Sequence, residues 1–133
     1  MSQENVEIIR RSVEVFGTGD LDRWLSEFVD PEVVWRTSVE DPDAAVYRGR
    51  DALSRYVDKW MESFDGLTAH AEEYLDAGDR VLVWTRWTGR GRGSGVPADW
   101  HLAIVYTLRG GRIVRGDEYF DRAEALKAVG LAE

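Results

Sequence analysis

Residues 100–120 read as a β-hairpin, and this hairpin constrains the rest of the fold more than any other stretch. Two runs rich in β-branched and aromatic residues flank Gly110-Gly111, a dipeptide typical of a two-residue hairpin turn. With these glycines as the loop, Arg109 faces Arg112, and every pair further along the two strands is set by counting outward. The sequence therefore predicts a hairpin of defined register.

That register brings a carboxylate close to an imidazole. Side chains alternate along a strand, so Ala103 lies opposite Glu118 and His101 lies opposite Phe120 on one face. The Glu118 carboxylate is then diagonal to His101, with little side-chain bulk around it because Ala103 and Gly116 are small. This face is typical of a pocket wall. A β-bulge near the turn would reverse the pairing of the faces.

The other face of the hairpin is bulky and apolar. We expect it to pack against another sheet or a second subunit, because it would otherwise expose a large apolar surface to water. The sequence thus predicts a homodimer through this sheet face. Its side chains are Leu102, Ile104, Tyr106, Ile113 and Tyr119.

The bulk properties of the chain exclude several classes of function. A chain of 133 residues forms one domain, expected to span 1–133, that is large enough to bury a core. It has no cysteine, no signal-peptide pattern and no apolar run long enough to cross a membrane, so we expect a cytoplasmic protein. The net charge of −8 argues against nucleic acid as a partner.

Helix and strand signals along the chain indicate an α+β fold in which helices cover one face of a curved antiparallel sheet. Helices are predicted after Ser2, Asp20, Gly49 and Asp121, from their capping residues and helical apolar spacing. A loop is expected over residues 38–48. Besides the hairpin, strands are predicted over residues 33–37, 67–75 and 80–88.

The candidate ligand-binding residues are aromatic and charged side chains near the predicted pocket. Tryptophans can line a cavity for a flat ring, although each can equally be core, and Glu73 can pair with Arg86 across two strands. We expect no cofactor, and no metal because His70 and His101 lack ligand spacing. The candidates are Arg86, Trp84, Trp35, Tyr56, Trp60, Ala103, Phe120 and Glu73.

Several short motifs spread along nearly the whole chain resemble a known family, the SnoaL-like branch of the nuclear-transport-factor-2-like superfamily. The resemblance implies a cone-shaped α+β barrel with the N-terminal helices on the concave face of the sheet. The motifs are residues 30–35 (DPEVVW), 47–52 (YRGRDA), 76–81 (DAGDRV), 93–95 (GSG), 111–114 (GRIV), 118–126 (EYFDRAEAL) and 130–131 (GL).

For function, the resemblance implies a range that includes isomerases, cyclases, dehydratases, epoxide hydrolases and non-catalytic binders. Glu118 and His101 are similar in kind and placement to the acid/base pair of SnoaL-type polyketide cyclases. Arg36 stands near the position where ketosteroid isomerases keep an aspartate base. Limonene epoxide hydrolases have a catalytic arginine and aspartate at about Trp84 and Arg86, so that set is incomplete here.

Two main hypotheses follow. The first is an acid/base enzyme of cyclase, isomerase or dehydratase type that acts on a small hydrophobic or carbonyl-bearing molecule. In it, desolvation raises the pKa of Glu118, His101 polarises a carbonyl and Arg86 holds an enolate. The second is a non-catalytic ligand-binding or dimerisation module, in which Glu118 forms an ion pair with Arg115 or Arg86. An epoxide-hydrolase-like activity is a third possibility.

Overall fold

A computed structural model describes residues 2–38 and 44–131 of the chain. Over these ranges it contains four helices and six strands, which confirms the α+β class. The helices are α1 (Ser2–Gly17), α2 (Leu21–Phe28), α3 (Arg50–Ser63) and α4 (Arg122–Ala128). The strands are β1 (Val29–Arg36), β2 (Val46–Arg48), β3 (Phe64–Ala77), β4 (Arg80–Gly91), β5 (Pro97–Arg109) and β6 (Arg112–Tyr119).

The strands form one curved sheet in the order β2-β1-β6-β5-β4-β3. The pairings are antiparallel except between β1 and β6, which run parallel, so the predicted curved antiparallel sheet is confirmed and contains one parallel pair. Within the described residues, β2 and β3 are the two edges and do not pair with each other. The sheet is therefore unclosed.

Helices α1, α2 and α3 cover one face of the sheet, which we call the inner face, and α4 covers part of the outer face. The main core lies between the three helices and the inner face, and includes Ile9, Leu53 and Ile113. A second apolar cluster lies on the outer face, where Ala125 of α4 packs with Ala103. Burial of these two clusters is the main favourable term that holds the layers together.

Local signals placed the helix starts correctly. The Asp20 carboxylate accepts a hydrogen bond from the backbone N–H of Arg23, and the Asp121 carboxylate accepts one from Ala123 N–H. Gly49 precedes α3 with a φ of 86°, a conformation that favours glycine. The two aspartates accept hydrogen bonds from backbone N–H groups that have no partner within the first turn of a helix. Gly49 instead adopts the backbone angle at which α3 begins.

The segment predicted as a loop over residues 38–48 contains a short strand. Residues 46–48 form β2, an edge strand that pairs antiparallel with β1 through Trp35 and Tyr47. Only three residues long, β2 offers too few side chains for an alternating pattern to show in the sequence. Residues 39–43 lie outside the described part of the chain.

The hairpin turn was predicted correctly, but the register beyond it was wrong. Gly110 and Gly111 both have positive φ, and Arg109 pairs with Arg112 as expected. A register shift follows between Thr107 and Leu108, so that one residue of β6 is left over, as in a β-bulge. Beyond this bulge the register is displaced by one residue, so Glu118 pairs with Ile104 instead of Ala103.

The bulge exchanges the predicted faces of the hairpin. Leu102, Ile104 and Tyr106 point inward and are buried beneath the helices, whereas His101 and Ala103 lie on the outer face. These three side chains are therefore not an exposed apolar face, and the dimer inferred from them loses that basis and stays a prediction. Among the described residues, no helix has the length and apolar character needed to cross a membrane.

Candidate active site

A cavity of about 80 Å³ lies between the three N-terminal helices and the inner face of the sheet. Helices α1, α2 and α3 and strands β1, β3, β4, β5 and β6 contribute its wall, and more than half of the lining side chains are aromatic. Glu118, on the last strand, is the one carboxylate on the described wall. The described part of the chain thus folds around an apolar space with one acid, Glu118, on its wall.

Glu118 is 8% exposed, and its carboxylate accepts hydrogen bonds at both oxygens. The indole Nε1–H of Trp35 donates to Oε2 at 2.7 Å, and the phenol O–H of Tyr56 donates to Oε1 at 2.7 Å. Burial disfavours the ionised form, whereas these hydrogen bonds favour it, so the two effects oppose each other. The raised pKa expected for Glu118 stays a prediction. The donors also fix the direction of the carboxylate.

Trp35 reaches Glu118 because Gly116 leaves room for its ring. Trp35 of β1 pairs with Gly116 of the parallel β6, two residues before Glu118 on the same face of the strand. A Cβ atom at Gly116 would lie 2.2 Å from two carbons of the Trp35 ring, far inside van der Waals contact. The glycine therefore positions the indole against the sheet, with its N–H directed to the carboxylate.

The second donor, Tyr56, lies on α3, and a neighbouring ring packs against it. Its ring stacks on Tyr47 of β2 with centroids 4.7 Å apart. Burial raises the pKa of the Tyr106 phenol, which also lines the cavity, and the charges of Tyr74 and Glu118 add to this effect. Tyr106 is therefore a protonated phenol over the physiological range.

Replacing Tyr56 by phenylalanine should destabilise the protein in a pH-dependent way. The change withdraws one hydrogen bond to a buried carboxylate, and we expect a loss of about 2 kcal/mol near neutral pH. Losing a donor to the ionised form raises the Glu118 pKa relative to wild type, so the loss should shrink as the pH falls and the carboxyl protonates. Urea unfolding at several pH values measures it.

The matched control for this experiment is Tyr47→Phe. Tyr47 stacks on Tyr56, but its hydroxyl is not one of the two donors to Glu118. We expect a smaller loss of stability that does not change with pH in the acid range. A Tyr56→Phe penalty that is the same at all pH values would contradict the role assigned to its hydroxyl.

The structure brings half of the sequence-predicted site residues to the cavity and separates the other half from it. On the cavity wall are Glu118, Trp35, Tyr56, Trp60 and Phe120. On the outer face are His101, Trp84, Arg86, Ala103 and Glu73. The predicted pairing of His101 with Glu118 was therefore wrong, because the bulge in β6 reverses their relative orientation.

The outer-face residues have partners of their own. His101 Nε2 lies 2.9 Å from Glu72 Oε1, and the His101 ring stacks on Trp84 with centroids 5.0 Å apart. Arg86 binds Asp99 at 2.6 Å and holds the pKa of that carboxyl below its usual range.

The predicted pair of Glu73 with Arg86 was also wrong. The turn register places Glu73 opposite Trp84, and a register shift between Ala71 and Glu73 then places Arg86 opposite His70, so the Glu73 carboxylate binds Arg122 instead. The alternative in which Glu118 forms an ion pair with Arg115 or Arg86 finds no support, since Arg115 binds Asp117 and Arg86 binds Asp99.

Sequence reasoning missed several aromatic residues of the wall, in particular Trp24, Trp87, Trp100 and Tyr106. A signal was present for two of them. Every second residue of β5 from Trp100 to Tyr106 is large and apolar. Side chains two residues apart lie on the same face of a strand, so Trp100 and Tyr106 share a face with Leu102 and Ile104 in either register. The bulky face of the hairpin was predicted to pack against another sheet or a second subunit, although its β5 residues line the cavity beneath the helices.

Comparison with known proteins agrees with this architecture. The family model of the SnoaL-like domain matches residues 9–116. The phenazine biosynthesis protein PhzA1 of Pseudomonas aeruginosa is 27% identical over 134 residues, covering 96% of this chain and 82% of PhzA1.

Solved structures show the same fold. A nuclear-transport-factor-2-like protein of Burkholderia thailandensis E264 is 25% identical, with a TM-score of 0.78 over 93% of this chain and 95% of that one. A candidate SnoaL-like polyketide cyclase of Jannaschia sp. CCS1 is 21% identical, with a TM-score of 0.79 over 100% of this chain and 96% of that one. The family match confirms the predicted resemblance, and the chain belongs to the SnoaL-like domain family, with a nuclear-transport-factor-2-like fold.

Proposed function

We propose that the cavity binds a small, largely apolar organic molecule with a carbonyl group, and that Glu118 transfers protons to and from it. The observation that carries this proposal is the position of Glu118, a buried carboxylate on an otherwise apolar wall with both oxygens held by donors. Ligand sites in proteins are typically apolar cavities with a few convergent polar groups. A carboxylate held in such a place is a candidate for acid/base chemistry.

The size of the cavity restricts the ligand. Its volume of about 80 Å³ is smaller than the roughly 150 Å³ of an engineered apolar cavity that accommodates benzene. A steroid or a polycyclic ring system does not fit in such a space. The proposed ligand therefore places a compact group or part of one small ring in the cavity, and its remainder extends through the mouth.

The chemistry is a proton transfer next to the carbonyl. The ionised Glu118 takes a proton from the carbon beside the carbonyl, which leaves an enolate, and the protonated carboxyl returns that proton to the same or to a conjugated carbon. A C–H bond breaks as the carboxyl O–H forms, and the O–H breaks as the new C–H forms, so the protons balance. Because Trp35 and Tyr56 orient the carboxylate before the ligand enters, little reorganisation accompanies the transfer.

The relatives support a role in the metabolism of small ring compounds. PhzA1 is named for phenazine biosynthesis, and the Jannaschia protein is a candidate polyketide cyclase. We extend to this chain only the class of ligand that these names suggest, since the identities are 27% and 21%. The residues that would act on such a ligand are inferred from the cavity itself.

A non-catalytic binding protein with the same cavity is the second candidate. The observation that favours it is the location of His101 on the outer face, hydrogen-bonded to Glu72. The wall then has no histidine among its described residues to assist Glu118 in the way expected from the sequence. In this alternative, Glu118 orients a polar group of the ligand and transfers no proton.

A thermal-shift screen of small cyclic ketones, enones and phenols tests the proposed site. We expect at least one compound to raise the Tm of the wild-type protein and to raise that of Glu118→Gln by clearly less. Glu72→Gln is the matched control, because it makes the same change on the outer face of the sheet. A screen in which no compound stabilises the wild type, or in which both variants respond alike, would refute a ligand site at Glu118.

A further inference from the structure

We propose that the ligand of this cavity carries a compact cationic nitrogen, an alkylammonium group, which lies among the aromatic rings beside Glu118. This inference rests on the proposed function in one respect, that the cavity is a ligand site. Beyond that, the inference specifies the charge and the shape of the part of the ligand that lies in the cavity. The shape follows from the arrangement of the rings, and the charge follows from the composition of the wall.

The rings enclose the cavity from several directions. Five wall residues form a continuous string in which every contact is edge-to-face, with interplanar angles of 76°, 72°, 77° and 68°. A wall that turns by such an angle at each step bounds a rounded space, whereas two parallel rings bound a flat slot. The string runs through Trp87, Phe16, Trp24, Trp35 and Tyr106.

Tryptophan is abundant in this wall. Every tryptophan of the chain except Trp84 lines the cavity. The face of an indole ring is the aromatic surface that attracts cations most strongly, and cages of such rings recognise quaternary ammonium groups. The ring composition of the wall therefore supplies the indole faces that bind a cation.

The charges point the same way. The described wall contains one carboxylate, Glu118, and no lysine, arginine or histidine. A cation is attracted both by the Glu118 carboxylate and by the ring faces, whereas an anion is repelled by both. The net charge of −8 also raises the concentration of small cations near the surface.

The test compares two probes of the same shape and different charge. Choline has a trimethylammonium head, and 3,3-dimethyl-1-butanol has a neutral carbon in place of the nitrogen. Isothermal titration calorimetry on the wild-type protein should show choline binding about tenfold more tightly than the neutral alcohol. Glu118→Gln and Trp87→Leu should each lower the affinity for choline, and Glu72→Gln should leave it unchanged.

The outcomes separate this inference from the proposed function. Equal affinity for the two probes, or tighter binding of the alcohol, would overturn the cationic ligand while leaving a neutral-ligand site intact. Failure of both probes to bind would also overturn it, and the proposed function would then be judged on the neutral ketones of the thermal-shift screen. Because Trp87→Leu leaves the carboxylate in place, it tests the ring cage even if Glu118→Gln folds poorly.

Discussion

Hydrogen–deuterium exchange next to the carbonyl of a bound cyclic ketone should slow by about 10²- to 10⁴-fold when Glu118 is replaced by glutamine. In D₂O a general base removes the proton from this carbon and returns a deuteron, so exchange reports proton transfer without knowledge of the natural product. Glutamine keeps the size of the side chain but cannot accept the proton. Proton NMR of the ketone, recorded with time, measures the rate.

Two controls make this result specific to the cavity. His101→Gln removes the imidazole that the hairpin register had paired with Glu118, and we expect no change in exchange because His101 lies on the outer face. Glu72→Gln should likewise have no effect. Exchange that is equally fast in Glu118→Gln and the wild type would rule out the acid/base role and favour the non-catalytic binding protein.

The parts of the fold that could be predicted are those determined by neighbouring residues. Asp20 and Asp121 cap helices through donors two or three residues away, and Gly110-Gly111 closes a hairpin through its own backbone angles. The family motifs are also local segments. Such signals depend on short stretches of chain, and a sequence displays them directly.

The registers beyond the turns could not be predicted, because they depend on contacts between distant strands. One extra residue in β6 and one register shift in β3 leave no mark in the hydrophobic pattern, yet each exchanges the two faces of a strand. Glu118 lies on the cavity wall through its pairing with Ile104, and the shift in β3 puts Ala71 on the inner face although Glu73 lies on the outer one. Residues on α3, by contrast, keep their helical spacing, so Tyr56 and Trp60 were placed correctly.

The parallel pair β1–β6 determines the site more than any single element. It sets Trp35 beside Gly116, and the sequence gives no sign that strands separated by most of the chain are neighbours. Without this pairing, Trp35 was a core or cavity residue with no assigned partner. With it, the indole becomes a donor to Glu118, two residues further along the neighbouring strand.

Gly116→Ala should therefore be among the most destabilising single changes in the chain, with a loss of about 3 kcal/mol in the free energy of unfolding. Gly116 does not have a positive φ, so the backbone itself would accept alanine, and the obstacle is the Trp35 ring 2.2 Å from the added Cβ. The ring has to move, which breaks the hydrogen bond from Trp35 Nε1 to Glu118. Urea unfolding of both proteins measures the loss.

A double-mutant cycle with Trp35→Leu shows whether the ring is the cause. In the Trp35→Leu background, Gly116→Ala should cost less than about 1 kcal/mol, because the collision no longer exists. Gly17→Ala is the matched control: Gly17 also lacks a positive φ and has open space around it, so alanine there should be neutral or slightly stabilising. If Gly116→Ala costs the same free energy of unfolding in the Trp35→Leu background, then the glycine is needed by the sheet itself and not by the Trp35 ring. If Gly116→Ala causes no loss of stability without Trp35, then the role of this glycine is to leave room for the indole that donates to Glu118.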